Sequence, residues 1–130
     1  MKKMLIFAII VILTNILFLT INTINAKQID EPEMISIQAT AYCDGEITST
    51  GCKVRQGIVA GKKEWEGKAI AIYKNDGGKV GEFIGLYECL DIGGEPIKKG
   101  KVIDIYNPSR EWCINFGRQD VFIQVIEGDG

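Results

Sequence analysis

The chain has 130 residues, 46% hydrophobic and 25% charged, with 15 basic residues, 17 acidic residues and no histidine. That length suits a single domain. The missing histidine excludes Ser-His-Asp and Cys-His catalysis and zinc sites built on His, leaving carboxylates, Lys, Tyr and Cys for proton chemistry.

The N-terminus differs in material from the rest. Lys2 and Lys3 precede an apolar run, Met4–Ile21, interrupted only by Thr14, Asn15 and Thr20, and a polar stretch Lys27–Glu33 follows. This is the order of an export signal, although the run is also close to the roughly 20 residues needed to span a bilayer. Residues 1–26 are therefore expected to be a signal peptide cleaved at Ala26 or a single membrane anchor, residues 27–34 a linker, and 35–130 a domain outside the membrane. With Lys2 and Lys3 set aside, Lys27–Gly130 holds 13 basic and 17 acidic residues, a net charge near −4. No basic block appears, which argues against nucleic acid as a partner.

Along the domain, Ile35–Tyr42 alternates and is rich in Ile and Thr, which predicts a strand. Cys43–Arg55 is a polar loop of turn formers. Gly57–Ala60 is a short apolar segment, and Lys62–Gly67 a charged turn that places Trp65 on the surface. Lys68–Lys74 and Val80–Leu90 are strands joined at Asn75–Gly78, a strong hairpin signal, with bulges expected at Gly81 and Gly85. Val102–Tyr106 is a further strand. Asn107 or Ser109 caps a short helix that Gly117 ends, and Val121–Ile126 is the last strand. About six strands with regular Gly-rich punctuation favour a small closed barrel over a sandwich.

Four cysteines, at 43, 52, 89 and 113, allow three disulfide pairings or four buried free thiols. Cys43 and Cys52 flank one loop and are the pair expected to join first. No C-x-x-C pair marks a structural zinc site, and no metal or cofactor is expected.

The stretch Leu90–Tyr106 carries two aspartates, Asp91 and Asp104, beside apolar residues. Alternation puts Ile103 and Ile105 on one face of the strand and Val102, Asp104 and Tyr106 on the other. A carboxyl against Val and Tyr has its pKa pushed upward by desolvation, as a general acid near neutral pH requires. The plainer role for Asp104 is a hydrogen bond to a neighbouring backbone loop. Tyr42, Trp65, Tyr106 and Trp112 have the faces to stack on sugar rings, although core packing is the commoner use of such side chains and is expected of Trp112. Thr48 and Thr50 suit sugar hydroxyls or turn formation, and Lys98 and Lys99 an acidic ligand or a solvated loop.

Thr40–Cys43 followed by Thr48, Thr50 and Gly51; Gly57–Ala60; Asp91–Gly94 with Ile97, Lys98, Gly100 and Ile103–Tyr106; and Phe116–Arg118 before the last strand stand in one order. In that order they resemble the three-aspartate domain of bacterial cell-wall enzymes, similar to the barrel of membrane-bound lytic transglycosylase A and of the stationary-phase muralytic factors. The resemblance covers about Ile35–Ile126. It implies a six-stranded double-psi β-barrel with one short helix, acting as a monomer on peptidoglycan, either secreted and associated with the wall or anchored by the N-terminus. It further implies a lytic transglycosylase that cuts between N-acetylmuramic acid and N-acetylglucosamine and leaves a 1,6-anhydro sugar without a cofactor. Asp104 matches the catalytic aspartate of the family's Asp-Ile/Val-Tyr element and Asp91 that of Asp-x-Gly-Gly. Tyr42, Thr48, Thr50, Trp65, Lys98 and Tyr106 are the expected substrate contacts. Two departures stand out. Gly61–Lys62 occupies the place of the family's first aspartate, with Glu64 and Glu66 the nearest substitutes, and the loop around Glu95–Lys99 is two residues longer. A glycan-binding or wall-loosening module of expansin type, and a hydrolase with two carboxylates flanking the bond, are the competing functions.

Overall fold

The computed structural model describes residues 1–25 and 31–128, and for 22–25 the backbone alone. The chain forms two units, Met1–Glu31 and Pro32–Gly130. The expected cleavage point at Ala26 and the first part of the expected linker lie outside the described residues.

The first unit is one helix, α1 (Lys2–Asn25), of which Lys2–Ile21 is long and apolar enough to cross a membrane. At 1.5 Å per residue these 20 residues reach about 30 Å, the thickness of a hydrocarbon core. The polar interruptions are satisfied within the helix: Thr14 Oγ1 and Asn15 Nδ2 both donate to Val11 O, at 2.9 and 2.8 Å, and Thr20 Oγ1 donates to Leu17 O at 2.8 Å. Each of these side chains thus places a donor on the helix's own backbone, which eases its entry into an apolar surround. The segment has the character of a signal or anchor.

The second unit is the barrel expected from the sequence. Its strands are β1 (Ile35–Tyr42), β2 (Ile58–Gly61), β3 (Ala69–Asp76), β4 (Lys79–Ile92), β5 (Val102–Tyr106) and β6 (Gln119–Ile126), and they close in the order β1-β5-β2-β4-β3-β6. β1 runs parallel to β5 and β2 parallel to β4, and the other neighbours are antiparallel. Closure leaves no free sheet edge. Inward residues of every strand fill the interior, among them Ile37, Val59, Ile70, Ile72, Cys89, Ile103, Ile105, Val121 and Ile123.

Local chemistry explains the connections. Gly77 and Gly78 both have positive φ, +60° and +88°, and close the β3–β4 hairpin as a two-residue turn. The β3–β4 register slips beside Gly81 and beside Gly85, where bulges were expected. A short helix, α2 (Arg110–Phe116), is capped by Ser109, whose Oγ accepts the Trp112 N–H, and ends at Gly117 with φ +59°. Trp112 stacks on Phe116 at 5.0 Å between ring centroids and packs against the core, as expected.

Trp65 departs from its expected surface position. Lys63–Trp65 is a single 3-10 turn that leaves Lys63 and Glu64 outside and drives Trp65 inward, where only 6% of it is exposed. Gly61 makes the space: a Cβ there would stand 3.1 Å from Trp65 Cε3 and 2.8 Å from Cys89 Sγ. Flanking charge misled the surface expectation, because a turn of three residues per revolution points neighbouring side chains in different directions.

Candidate active site

Register brings the two aspartates together. Asp91 on β4 pairs with Ala60 on β2, Ala60 pairs with Asp104 on β5, and Asp104 pairs with Thr40 on β1. The four residues form one row across four strands. Ala60, buried and small, is the spacer between the carboxyls.

Asp104 is half-buried, and Thr40 Oγ1 donates to its Oδ1 at 2.8 Å. Burial pushes the Asp104 carboxyl above its ordinary value; the Thr40 hydrogen bond opposes that rise, and the negative charge of Asp91 adds to it. Asp91 is tightly held. Its Oδ2 accepts the Tyr42 hydroxyl at 3.1 Å, and its Oδ1 accepts the backbone N–H of Ser49 at 2.9 Å and its own neighbour's N–H, Ile92, at 3.0 Å. Ser49 Oγ accepts from Ile92 N at 2.7 Å, so one serine grips the aspartate's strand twice. Burial first, then the charge of Asp91 and the bond to it, raise the Tyr42 phenol far above its usual range, so it stays a donor at any physiological pH. Tyr106 meets the Tyr42 ring edge-on at 5.3 Å. Tyr42 thus touches Asp91 directly, and Tyr106 packs on Tyr42.

Thr48 and Thr50 do something other than offer hydroxyls to a ligand. Cys52 N donates to Thr48 Oγ1 at 3.0 Å, the two threonine hydroxyls lie 3.0 Å apart, and Thr50 Oγ1 donates to Leu90 O at 2.6 Å. Because Thr50 spends its proton on Leu90, Thr48 is the donor between the two. The chain of bonds uses both hydroxyl protons and fastens the β1–β2 loop to β4 one residue before Asp91. Thr48 is itself buried, 4% exposed. Both threonines thus serve the loop geometry that was the alternative to sugar contact.

Lys98 is exposed on the β4–β5 loop, and among the described residues no hydrogen bond joins it to either aspartate. Trp65 is 6% exposed and belongs to the core, and what it shows lines the same cavity as Glu64. Glu66 is paired with Lys63. Glu64 lines a separate cavity of about 470 Å³ with Lys68 and Glu127. Neither glutamate is the carboxylate acting on Asp104; that is Asp91. Where the family's first aspartate would stand, Gly61 is buried and pairs with Ile92, while Lys62 Nζ lies 4.8 Å over the Trp65 ring. Cys89 is fully buried and its thiol is pushed up to about 11, chiefly by burial, which makes it a packing residue and not a nucleophile.

No family model matches the sequence, and no curated protein matches it. Among solved structures, the Streptomyces papain inhibitor is similar. The two superpose with a TM-score of 0.55 at 14% identity, over 73% of this chain and 96% of that one. At that identity the likeness speaks to the barrel fold alone.

Two contributors to the site were not singled out from the sequence. Thr40 lies two residues before Tyr42, on the same face of β1 by alternation, so a signal for it existed. Ser49 lies between two threonines in a turn-rich loop and had none, because its role depends on a contact with a strand more than 40 positions away. Among the described residues no cluster of three or more His, Cys, Asp or Glu has the arrangement of a metal site.

Proposed function

We propose that the barrel is a three-aspartate-type domain that cleaves peptidoglycan glycan strands as a lytic transglycosylase, with Asp104 as its single acid and base. The observation that carries the reading is the Asp104 carboxyl, set in one row with Asp91, half-buried and partly open to solvent, with burial and the charge of Asp91 raising its proton affinity against the Thr40 hydrogen bond. Protonated Asp104 donates to the glycosidic oxygen as the bond from C1 to that oxygen breaks. The resulting carboxylate takes the proton from the sugar's own 6-hydroxyl as that oxygen bonds to C1. The proton returns to Asp104, a 1,6-anhydro ring forms, and no water is consumed. Asp91 raises the proton affinity of Asp104 and presents negative charge to the cationic character that develops at C1. Tyr42, Ser49, Thr48 and Thr50 keep Asp91 in place. The N-terminal apolar helix fits delivery to or anchoring at the wall.

A second reading, a glycan-binding or wall-loosening module without turnover, draws on the position of Lys62, a cation where the family carries a carboxylate. One experiment separates the readings: incubate the full-length protein in mild detergent with purified peptidoglycan and identify soluble products by mass spectrometry. Anhydro-muropeptides support the transglycosylase. New reducing ends indicate a hydrolase, and sedimentation with the wall without any product indicates the binding module.

A further inference from the structure

The expected partner of Cys43 was Cys52, across one short loop. The structure instead brings Cys43 to Cys113. Cys43 directly follows Tyr42, the last residue of β1, and Cys113 lies in the middle of α2, which packs against β1. One residue links the two elements: Asn107 N donates to Tyr42 O at 2.9 Å, and Asn107 O accepts from Cys113 Sγ at 3.4 Å. Both thiols line a cavity of about 300 Å³ whose other walls include Tyr42, Asp44 and Arg110, and the Cys43 thiol donates to Asp44 Oδ1 at 3.8 Å. Both are partly exposed, whereas Cys89 is sealed in the core.

We propose that Cys43 and Cys113 are a redox pair that closes into a disulfide in an oxidising setting and fastens α2 across the end of β1, beside the aspartate site. The pair is reached from the open cavity, so a small disulfide oxidant can enter. Cys43 as thiolate attacks one sulfur of the oxidant, forming a mixed disulfide and releasing one oxidant thiol. Cys113 then loses its proton to solvent and attacks the Cys43 sulfur, which forms the Cys43–Cys113 bond and releases the second oxidant thiol. Two protein thiols are oxidised and one disulfide of the oxidant is reduced to two thiols, so electrons and protons balance. Burial, together with the neighbouring Cys43, raises the Cys113 thiol, which lowers the share of Cys113 present as thiolate for the second step near neutral pH. The bond joins positions 70 residues apart, and cross-links that close long loops restrict the unfolded chain most. Its consequence for the site is direct. Tyr42, the neighbour of Cys43, hands its hydroxyl to Asp91, so locking Cys43 orders the residue that positions that carboxylate.

The test uses the full-length chain in detergent. It is equilibrated with oxidised and reduced glutathione, quenched with an alkylating agent and digested without reduction. The expected result is a linked peptide containing Cys43 and Cys113, with Cys89 alkylated only after unfolding. Oxidation should raise Tm by roughly 10 °C or more, reversed by dithiothreitol. Cys43→Ser and, as an independent variant, Cys113→Ala should each abolish that difference, and Cys52→Ser should retain it. A Cys43–Cys52 peptide, or four alkylated thiols in folded protein after prolonged oxidation, overturns the proposal. So does a redox-dependent Tm that survives Cys43→Ser.

Discussion

Replacing Asp104 by Asn separates charge from shape at the centre of the row. The amide keeps the size of the carboxyl, and its oxygen can still accept the Thr40 hydroxyl that now donates at 2.8 Å. That hydrogen bond, worth about 1 kcal/mol, is retained, while the proton shuttle is removed. Under the proposed mechanism, turnover of peptidoglycan should fall by about 10²–10⁴-fold, equivalent to about 3–5 kcal/mol of barrier. Stability should move the other way, and with pH. The folded pKa of Asp104 lies above its unfolded value, so the folded protein holds the proton more tightly. The stability this contributes is fully present below the unfolded value, near pH 4, and is lost as pH rises through the folded pKa. Asn does not titrate. Wild type and Asp104→Asn should therefore differ by a pH-independent offset at acid pH, and the variant should gain on wild type toward neutrality. Thermal melts of both proteins from pH 3 to pH 8 and muropeptide release on purified wall, run side by side, give the two readouts. A variant that loses ground to wild type as pH rises would mean that the carboxylate is net stabilised in the fold, and the electrostatic account of the site would fail. Full turnover by Asp104→Asn would remove it from the chemistry.

Three further outcomes follow from named contacts. Tyr42→Phe deletes the donor to Asp91 without changing the ring that meets Tyr106, and should cost about 1–2 kcal/mol in urea unfolding while lowering any turnover; an unchanged midpoint would mean that the 3.1 Å bond contributes nothing. Gly61→Ala sets a methyl 2.8 Å from Cys89 Sγ and 3.1 Å from the Trp65 ring, so overpacking of about 1–3 kcal/mol should lower Tm, and pairing it with Cys89→Ala should recover part of the loss. Trp65→Ala should cost about 3–5 kcal/mol, as a core aromatic does, and a loss within about 0.5 kcal/mol would return Trp65 to the surface.

Strand alternation, the Asn75–Gly78 hairpin, the helix cap at Ser109 and the apolar N-terminal run were legible from the sequence because each rests on neighbours within a turn or two. The strand membership of Asp104 and its face, opposite Ile103 and Ile105, were legible for the same reason: a period of two needs no partner strand. Trp65, Thr48, Thr50 and the cysteines were not. Whether Trp65 meets water depends on the absence of a Cβ at Gly61 and on Cys89 arriving from another strand. Thr48 and Thr50 look like ligand hydroxyls until Leu90 O is brought within 2.6 Å of one of them. Cys43 has its nearest cysteine in sequence at 52 and its neighbour in space at 113, because the parallel pairing of β1 with β5 carries the following helix back over the end of β1. The alignment of Asp91, Ala60, Asp104 and Thr40 is decided the same way. It requires four strands from distant parts of the chain to adopt one register, and register is set by which faces of all four can be buried together, a condition that only the closed barrel imposes.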